Sequence, residues 1–144
     1  MTQVNFYDPL FEPASMLTYS IIAARFKGKW IYVRHRDRKT YEIPAGHIEK
    51  GETSLEAACR ELMEETGAIR YEIDCVATYS VIRDENTGWG RLYFAEVSEL
   101  GAISDISEIG EKILLDHLPE NLTYPDIQAD FYEKVLEYLR LKII

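Results

Sequence analysis

The apolar positions change rhythm along the chain, and each change marks an element. From Thr18 to Phe26 and from Trp30 to His35 they form short β-branched and aromatic runs, separated by Lys27-Gly28-Lys29, which predicts a β-hairpin. Tyr41-Glu42-Ile43 reads as a short strand ended by Pro44. Between Thr53 and Gly67 the rhythm becomes helical. Leu55, Cys59, Leu62 and Thr66 recur as one stripe expected to face the core. Thr53 is placed to cap this helix, Glu56 three residues on completes a capping box, and Gly67 supplies a left-handed stop.

Beyond the helix, residues 69–82 alternate, with Tyr71, Ile73, Cys75 and Ala77 on one side. A turn over 84–88, a strand over 91–97, an acidic loop over 98–110 and a short strand over 112–118 follow, broken by Pro119. A final helix is expected from near Pro125, capped by Thr123, with Ile127, Phe131, Val135, Tyr138 and Leu139 as its apolar face. Residues 1–16, with Pro9 and Pro13, read as an irregular arm. Its Phe6, Tyr7, Leu10 and Phe11 are expected to pack on the body or on a second subunit, which would suit a homodimer. No repeat or linker interrupts 1–144, so one α/β domain is expected, with a mixed β-sheet covered by helices.

Charge changes the picture at the central helix. Glu61, Glu64 and Glu65 stand at i, i+3 and i+4, crowded on one face near the C-terminus. Like charges at that spacing repel, and the helix dipole disfavours anions there, so stability alone would place Lys or Arg at these positions. Either this is a solvated acidic face or a divalent cation held by carboxylate oxygens offsets the repulsion.

Composition narrows the partners. Sixteen basic against 25 acidic residues give a net charge of −9, which argues against a nucleic-acid polymer or an anionic membrane as partner. A small anionic ligand stays open, because a bound metal reverses the local sign. The two cysteines, Cys59 and Cys75, are expected to be reduced, and the absence of a secretory signal or a long apolar run points to a cytoplasmic protein.

The run Gly46-x5-Glu52, seven residues, then Arg60-Glu61-Leu62-x-Glu64-Glu65-x-Gly67 resembles the signature box of the Nudix hydrolases. Every charged and glycine position of the box is filled. Ala68 departs from it, standing where a larger aliphatic residue is usual. The resemblance covers 46–68 closely and extends from about 18 to 125. It implies an α/β/α sandwich and hydrolysis of a nucleoside diphosphate linked to a further group, with a small-molecule nucleotide as substrate. It also implies Mg²⁺, with Mn²⁺ as the alternative, held by Glu61, Glu64, Glu65 and the carbonyl of Ala45. One glutamate would act as base toward water, which one being left open. Gly46, Glu52, Arg60 and Gly67 would be structural, with Arg60 and Glu52 holding the loop to the helix. A favourable i, i+4 pair of Glu56 with Arg60 is also expected.

A further carboxylate from the loop after the box is expected to be Glu108, with Glu111 as runner-up. Arg36, in the basic run 34–39, would meet a substrate phosphate. Asn121 would read a purine edge or serve as a turn residue. For the substrate, the Ala45-Gly46 entry is similar to that of ADP-ribose and ADP-sugar pyrophosphatases, but Arg83 replaces their proline. Asp84 replaces the tyrosine of dinucleoside-polyphosphate hydrolases. Small size and Leu118-Pro119-Glu120-Asn121-Leu122 look like the MutT type, which cleaves nucleoside triphosphates, including 8-oxo-dGTP, to monophosphate and pyrophosphate. The alternatives are a nucleotide-sugar pyrophosphatase and a non-catalytic nucleotide sensor.

Overall fold

A strand that alternates two sets of apolar side chains can bury both of its faces, and the strand over Tyr19–Phe26 does so at the centre of the structure. In this computed structural model residues 2–143 are described; Met1, the first residue of the expected arm, and Ile144 lie outside the described residues. The elements in order are β1 (Thr2–Tyr7), β2 (Tyr19–Phe26), β3 (Lys29–His35), β4 (Ala45–His47), α1 (Ser54–Thr66), β5 (Ala68–Arg83), β6 (Asn86–Leu100), β7 (Ile109–Leu115) and α2 (Pro125–Ile143).

One mixed sheet runs β1-β5-β6-β2-β3-β7, with β4 added to β2. β2 and β6 pair in parallel, and the remaining pairs are antiparallel. Ile22 and Ala24 of β2 face α1, where they meet Ala58 and Leu62. Ile21 and Ala23 face α2, where they meet Phe131 and Val135. The sheet therefore sits between two helices, and its two cores lie on opposite faces of the same strand. The β2–β3 connection is a two-residue turn in which Lys27 and Gly28 both have positive φ, at 51° and 79°. That geometry matches the twist of the flanking strands.

Several expectations are corrected. The 1–16 arm is not irregular throughout: β1 pairs with β5 from Thr2↔Arg83 to Tyr7↔Thr78. The two prolines lie just beyond it, and Val4 and Phe6 pack on the α2 side of the sheet. The arm's aromatics lie on the chain's own body, with Tyr7 stacked on Phe11 at 5.0 Å and tilted against Trp89 at 5.3 Å.

Leu55 is 46% exposed, whereas Ala57 and Ala58 are fully buried. The helix lies so close on the sheet that alanine, a weak apolar signal, fills the contact instead. Thr123 does not cap α2; its hydroxyl bonds Thr40, and the Tyr124 carbonyl, on a residue with φ 54°, accepts the Ile127 and Gln128 N–H groups at 3.1 Å. The expected loop 98–110 shortens to 101–108 because β6 runs on to Leu100 and β7 begins at Ile109.

Candidate active site

The site is built at the junction of β4, the loop to α1, and α1 itself. The capping box forms as the sequence predicts: the Thr53 hydroxyl accepts the Glu56 N–H at 3.1 Å, and the Glu56 carboxylate accepts the Thr53 N–H at 2.9 Å. Glu56 is thereby committed, and Arg60 turns away from it. The Arg60 guanidinium takes both oxygens of Glu52 at 2.7 and 3.0 Å, Glu61 at 2.7 Å, Glu64 at 3.4 Å and the His47 carbonyl at 3.0 Å. Its hydrogen bonds hold the Glu52 carboxyl down at about 2. Arg60 and Glu52 thus tie the 46–53 loop to the helix.

Gly46 has an ordinary negative φ, so backbone freedom does not explain it. Space does. A Cβ there would lie 2.2 Å from the Glu61 carboxyl carbon. Gly67 needs both properties: its φ is 78°, and a Cβ would lie 2.4 Å from the Gly101 carbonyl.

One cleft gathers Glu49, Glu61, Glu64, Glu65 and Glu108, with Arg60 as the cation lining it among the described residues. The α1 carboxylates form a gradient of depth. The Glu65 side chain is 8% exposed, Glu61 14% and Glu64 49%. Burial pushes the Glu65 carboxyl up to about 9, against one hydrogen bond from the Ala45 N–H at 3.1 Å, and the charges of Glu61, Glu42 and Glu108 push the same way. Burial also raises Glu61, opposed by its bond to Arg60.

Glu108 lines the cleft on a loop held by four hydrogen bonds. The Arg36 guanidinium donates to the Ser107 and Asp105 carbonyls at 2.8 and 3.0 Å, and its N–H to the Glu108 carbonyl at 2.9 Å. The Ser107 hydroxyl donates to the Glu64 carbonyl at 3.2 Å. Arg36, expected to meet a phosphate, therefore spends its guanidinium on the loop that carries Glu108. Glu111 accepts from the Tyr41 hydroxyl, which chiefly holds its carboxyl below the usual range, and it also pairs with Arg34 at 3.5 Å. Asn121 donates from its amide to the Lys39 carbonyl at 3.1 Å and does not line the cleft.

The helix end has a cation after all, supplied from another element. Lys112 of β7 donates to the Thr66 carbonyl at 2.7 Å and to Gly101, while α1 has no basic residue in its own last turn. Sequence reasoning also missed Glu42 and His35. Glu42 is buried, paired with Arg38 at 2.7 Å, and lies 3.8 Å from His35, whose ring is 3.9 Å from Glu65. The available signal was a lone acid in the otherwise apolar segment Tyr41-Glu42-Ile43, which forms no strand and is held by isolated bridges of Glu42 to Val33 and Tyr41 to Leu122.

Beside the cleft lies a cavity of about 470 Å³ walled by Tyr19, Tyr79, Trp89, Tyr124 and Phe131. Ala45 joins the two: it lines the cavity, and its N–H holds Glu65. Among the described residues no group of three or more acidic, histidine or cysteine side chains is placed so that it could hold a metal ion as it stands. The cleft is instead an acidic basin. Its all-oxygen donors suit a hard divalent cation. Among the described residues it sets five carboxylates against the single guanidinium of Arg60.

The family model and the relatives below make the chain a hydrolase that acts on phosphorus anhydride bonds. The chain belongs to the NUDIX domain family, whose sequence model matches residues 15–127. It is 36% identical over 121 residues to YtkD of Bacillus subtilis, named provisionally as an 8-oxo-dGTP diphosphatase, covering 84% of this chain and 75% of that protein. Phosphatase NudJ of Escherichia coli K12 is 35% identical over 71 residues, covering 48% of this chain and 46% of NudJ. The crystal structure of the Bacillus subtilis pyrophosphohydrolase BsRppH superposes with a TM-score of 0.78 at 30% identity, over 98% of this chain and 90% of that one. A UDP-X diphosphatase shares the fold at TM-score 0.72 and 18% identity, over 92% of this chain and 66% of that one.

Proposed function

We propose that this NUDIX hydrolase is a divalent-cation-dependent nucleoside triphosphate pyrophosphohydrolase, releasing monophosphate and pyrophosphate, with oxidised nucleotides such as 8-oxo-dGTP within its range. The observation that carries the reading is the joint at Ala45, which puts a cavity of base-accepting size and aromatic lining directly against the carboxylate basin. The names of the Bacillus subtilis relatives support it.

Glu61, Glu64, Glu65, Glu108 and the Ala45 carbonyl would hold the cation, Mg²⁺ by donor chemistry and Mn²⁺ as the substitute. Bound there, it would neutralise phosphate charge and polarise the attacking water. The chain's own residues do the rest. Arg60 and Glu52 fix the loop that carries the Ala45-Gly46 backbone, and Arg60 orients Glu61. Arg36 sets the reach of Glu108. Burial of Glu65 favours its neutral form, so a cation held there would have to offset that cost.

A screen of metal-dependent product release over nucleoside triphosphates, 8-oxo-dGTP, ADP-ribose and ADP-glucose tests the proposal. Turnover of a triphosphate to monophosphate and pyrophosphate is expected. Faster turnover of ADP-ribose or ADP-glucose would replace it with a nucleotide-sugar pyrophosphatase. Tight binding of one ligand without turnover would replace it with a sensor.

A further inference from the structure

β5 is covered along only part of its outer side. It pairs with β6 from Ala68 to Arg83, but β1 pairs with it only from Thr78 to Arg83. Among the described residues no strand pairs with the outer side of 68–77. The chain's own arm reaches the upper end of this stretch, where the Pro9 carbonyl lies 3.9 Å from the Cys75 thiol. Over 68–74, every second residue therefore turns its N–H and C=O away from any strand.

The side chains of this edge are made for pairing. Ile69, Tyr71 and Ile73 alternate with Arg70, Glu72 and Asp74. Tyr71 and Ile73 pack on the α1 side of the sheet, where the Tyr71 hydroxyl lies against the Cys59 thiol. Leu55 and Met63, one helical turn either side of Cys59, are exposed and leave apolar surface beside the edge. Lys142 and Tyr138 engage Asp74 at 3.0 and 3.3 Å. Arg70 and Glu72 are exposed and enter no ion pair among the described residues.

The order of these charges selects one register. If the edge pairs antiparallel with its own copy, α1 sides together, the ladder is centred on a residue that faces itself. Centred on Arg70 or on Glu72, like charges meet; centred on Ile73, Glu72 meets Asp74. Centred on Tyr71, Arg70 faces Glu72 twice and the two tyrosines meet. Ile73 then comes opposite Ile69, the residue that bulges from the β5–β6 ladder. The other outer strands lack this self-complementarity. β1 carries no charged residue, and on β7 Glu111 is engaged by Tyr41 and Arg34, and Lys112 by the Thr66 and Gly101 carbonyls.

We infer that the 68–74 edge of β5 is a homodimer interface, where a second copy of this chain adds its own 68–74 segment antiparallel, centred on Tyr71. One sheet then runs through both copies. None of these residues lines the acidic cleft or the aromatic cavity, so the interface stands apart from the catalytic reading.

Sedimentation equilibrium of the full chain from about 1 to about 100 µM tests it. Wild type is expected to be mainly dimeric at the upper end. Arg70→Glu and Glu72→Arg each set like charges face to face at two places, and each is expected to weaken the dimer at least about tenfold. The double variant restores both facing pairs and is expected within about threefold of wild type. Tyr71→Cys, with Cys59→Ser and Cys75→Ser, is expected to form a disulfide-linked dimer under mild oxidation, because the central residue faces its own copy. A wild type that stays monomeric overturns the inference, and the charges then guard the edge. A dimer indifferent to the single exchanges overturns it too, as does one that the double exchange fails to restore. If an exchanged variant does not fold, the Tyr71→Cys cross-link decides.

Discussion

A Cβ on Gly46 would stand 2.2 Å from the carboxyl carbon of Glu61 and 2.6 Å from its Cγ. The two residues are packed face to face, so the glycine defines where a basin carboxylate sits. The atoms in the way belong to the flexible end of Glu61, which can swing aside at small cost to folding. Gly46→Ala is therefore expected to lower the melting temperature by only a few degrees while reducing kcat by about 100-fold, the scale of a 1 Å misplacement in an active site. Melting and steady-state kinetics on the same preparation check this. Activity near wild type would mean that Glu61 does not need this position.

That contact also marks where the sequence was legible and where it was not. Glycine at residue 46 was readable as a constraint, but its nature was not, because a close approach involves a side chain 15 positions away while a strained φ is local. The capping box and the glycine stop of α1 were readable because they are local chemistry. The depth order of Glu65, Glu61 and Glu64 depends on how the helix is rolled on the sheet, and the alanines that settle the roll carry little apolar signal. That Glu108 and not Glu111 lines the cleft depends on Tyr41 and Arg34 drawing Glu111 away, a relation between segments distant in sequence. The aromatic cavity draws on β2, β5, β6 and α2 together, so no single stretch announced it.

Arg36 gives the second prediction. If it acts by holding the 105–107 carbonyls, Arg36→Ala lowers kcat about tenfold with little change in KM, and that loss disappears in a Glu108→Gln background. A residue that instead met substrate phosphate would raise KM at constant kcat, and its effect would add to that of Glu108→Gln.

Glu65 makes stability depend on pH. Its carboxyl titrates at about 9 in the fold, against an ordinary value of 4.5. Between these values the folded state keeps a proton that the unfolded chain has released, so stability is greatest below the lower value and falls as pH rises toward the upper one. Metal-free wild type is expected to lose melting temperature from about pH 6 to about pH 8, by at most roughly 1.4 kcal/mol per pH unit from this group. Glu65→Gln should flatten that slope, and added Mg²⁺ should reduce it in wild type. A wild-type slope unchanged by the substitution would contradict the assignment.

Lys112 carries the fourth prediction. It supplies the positive charge that α1 lacks at its own C-terminus. Lys112→Met is expected to cost about 1–2 kcal/mol, seen as a melting temperature lower by several degrees. An unchanged melting temperature would show that the Thr66 and Gly101 carbonyls find other partners.

The central claim is that the carboxylates of α1, acting with a divalent cation, carry out the hydrolysis. Glu64 tests it most cleanly. It is the most exposed of the three and contacts Arg60 only at 3.4 Å, so exchanging it disturbs the fold least. The measurement is the Mg²⁺-dependent rate of Glu64→Gln against wild type, on whichever nucleotide wild type turns over fastest. A loss of about 100-fold or more, with folding intact, is predicted; a rate within about threefold of wild type, less than roughly 0.7 kcal/mol, would contradict the account.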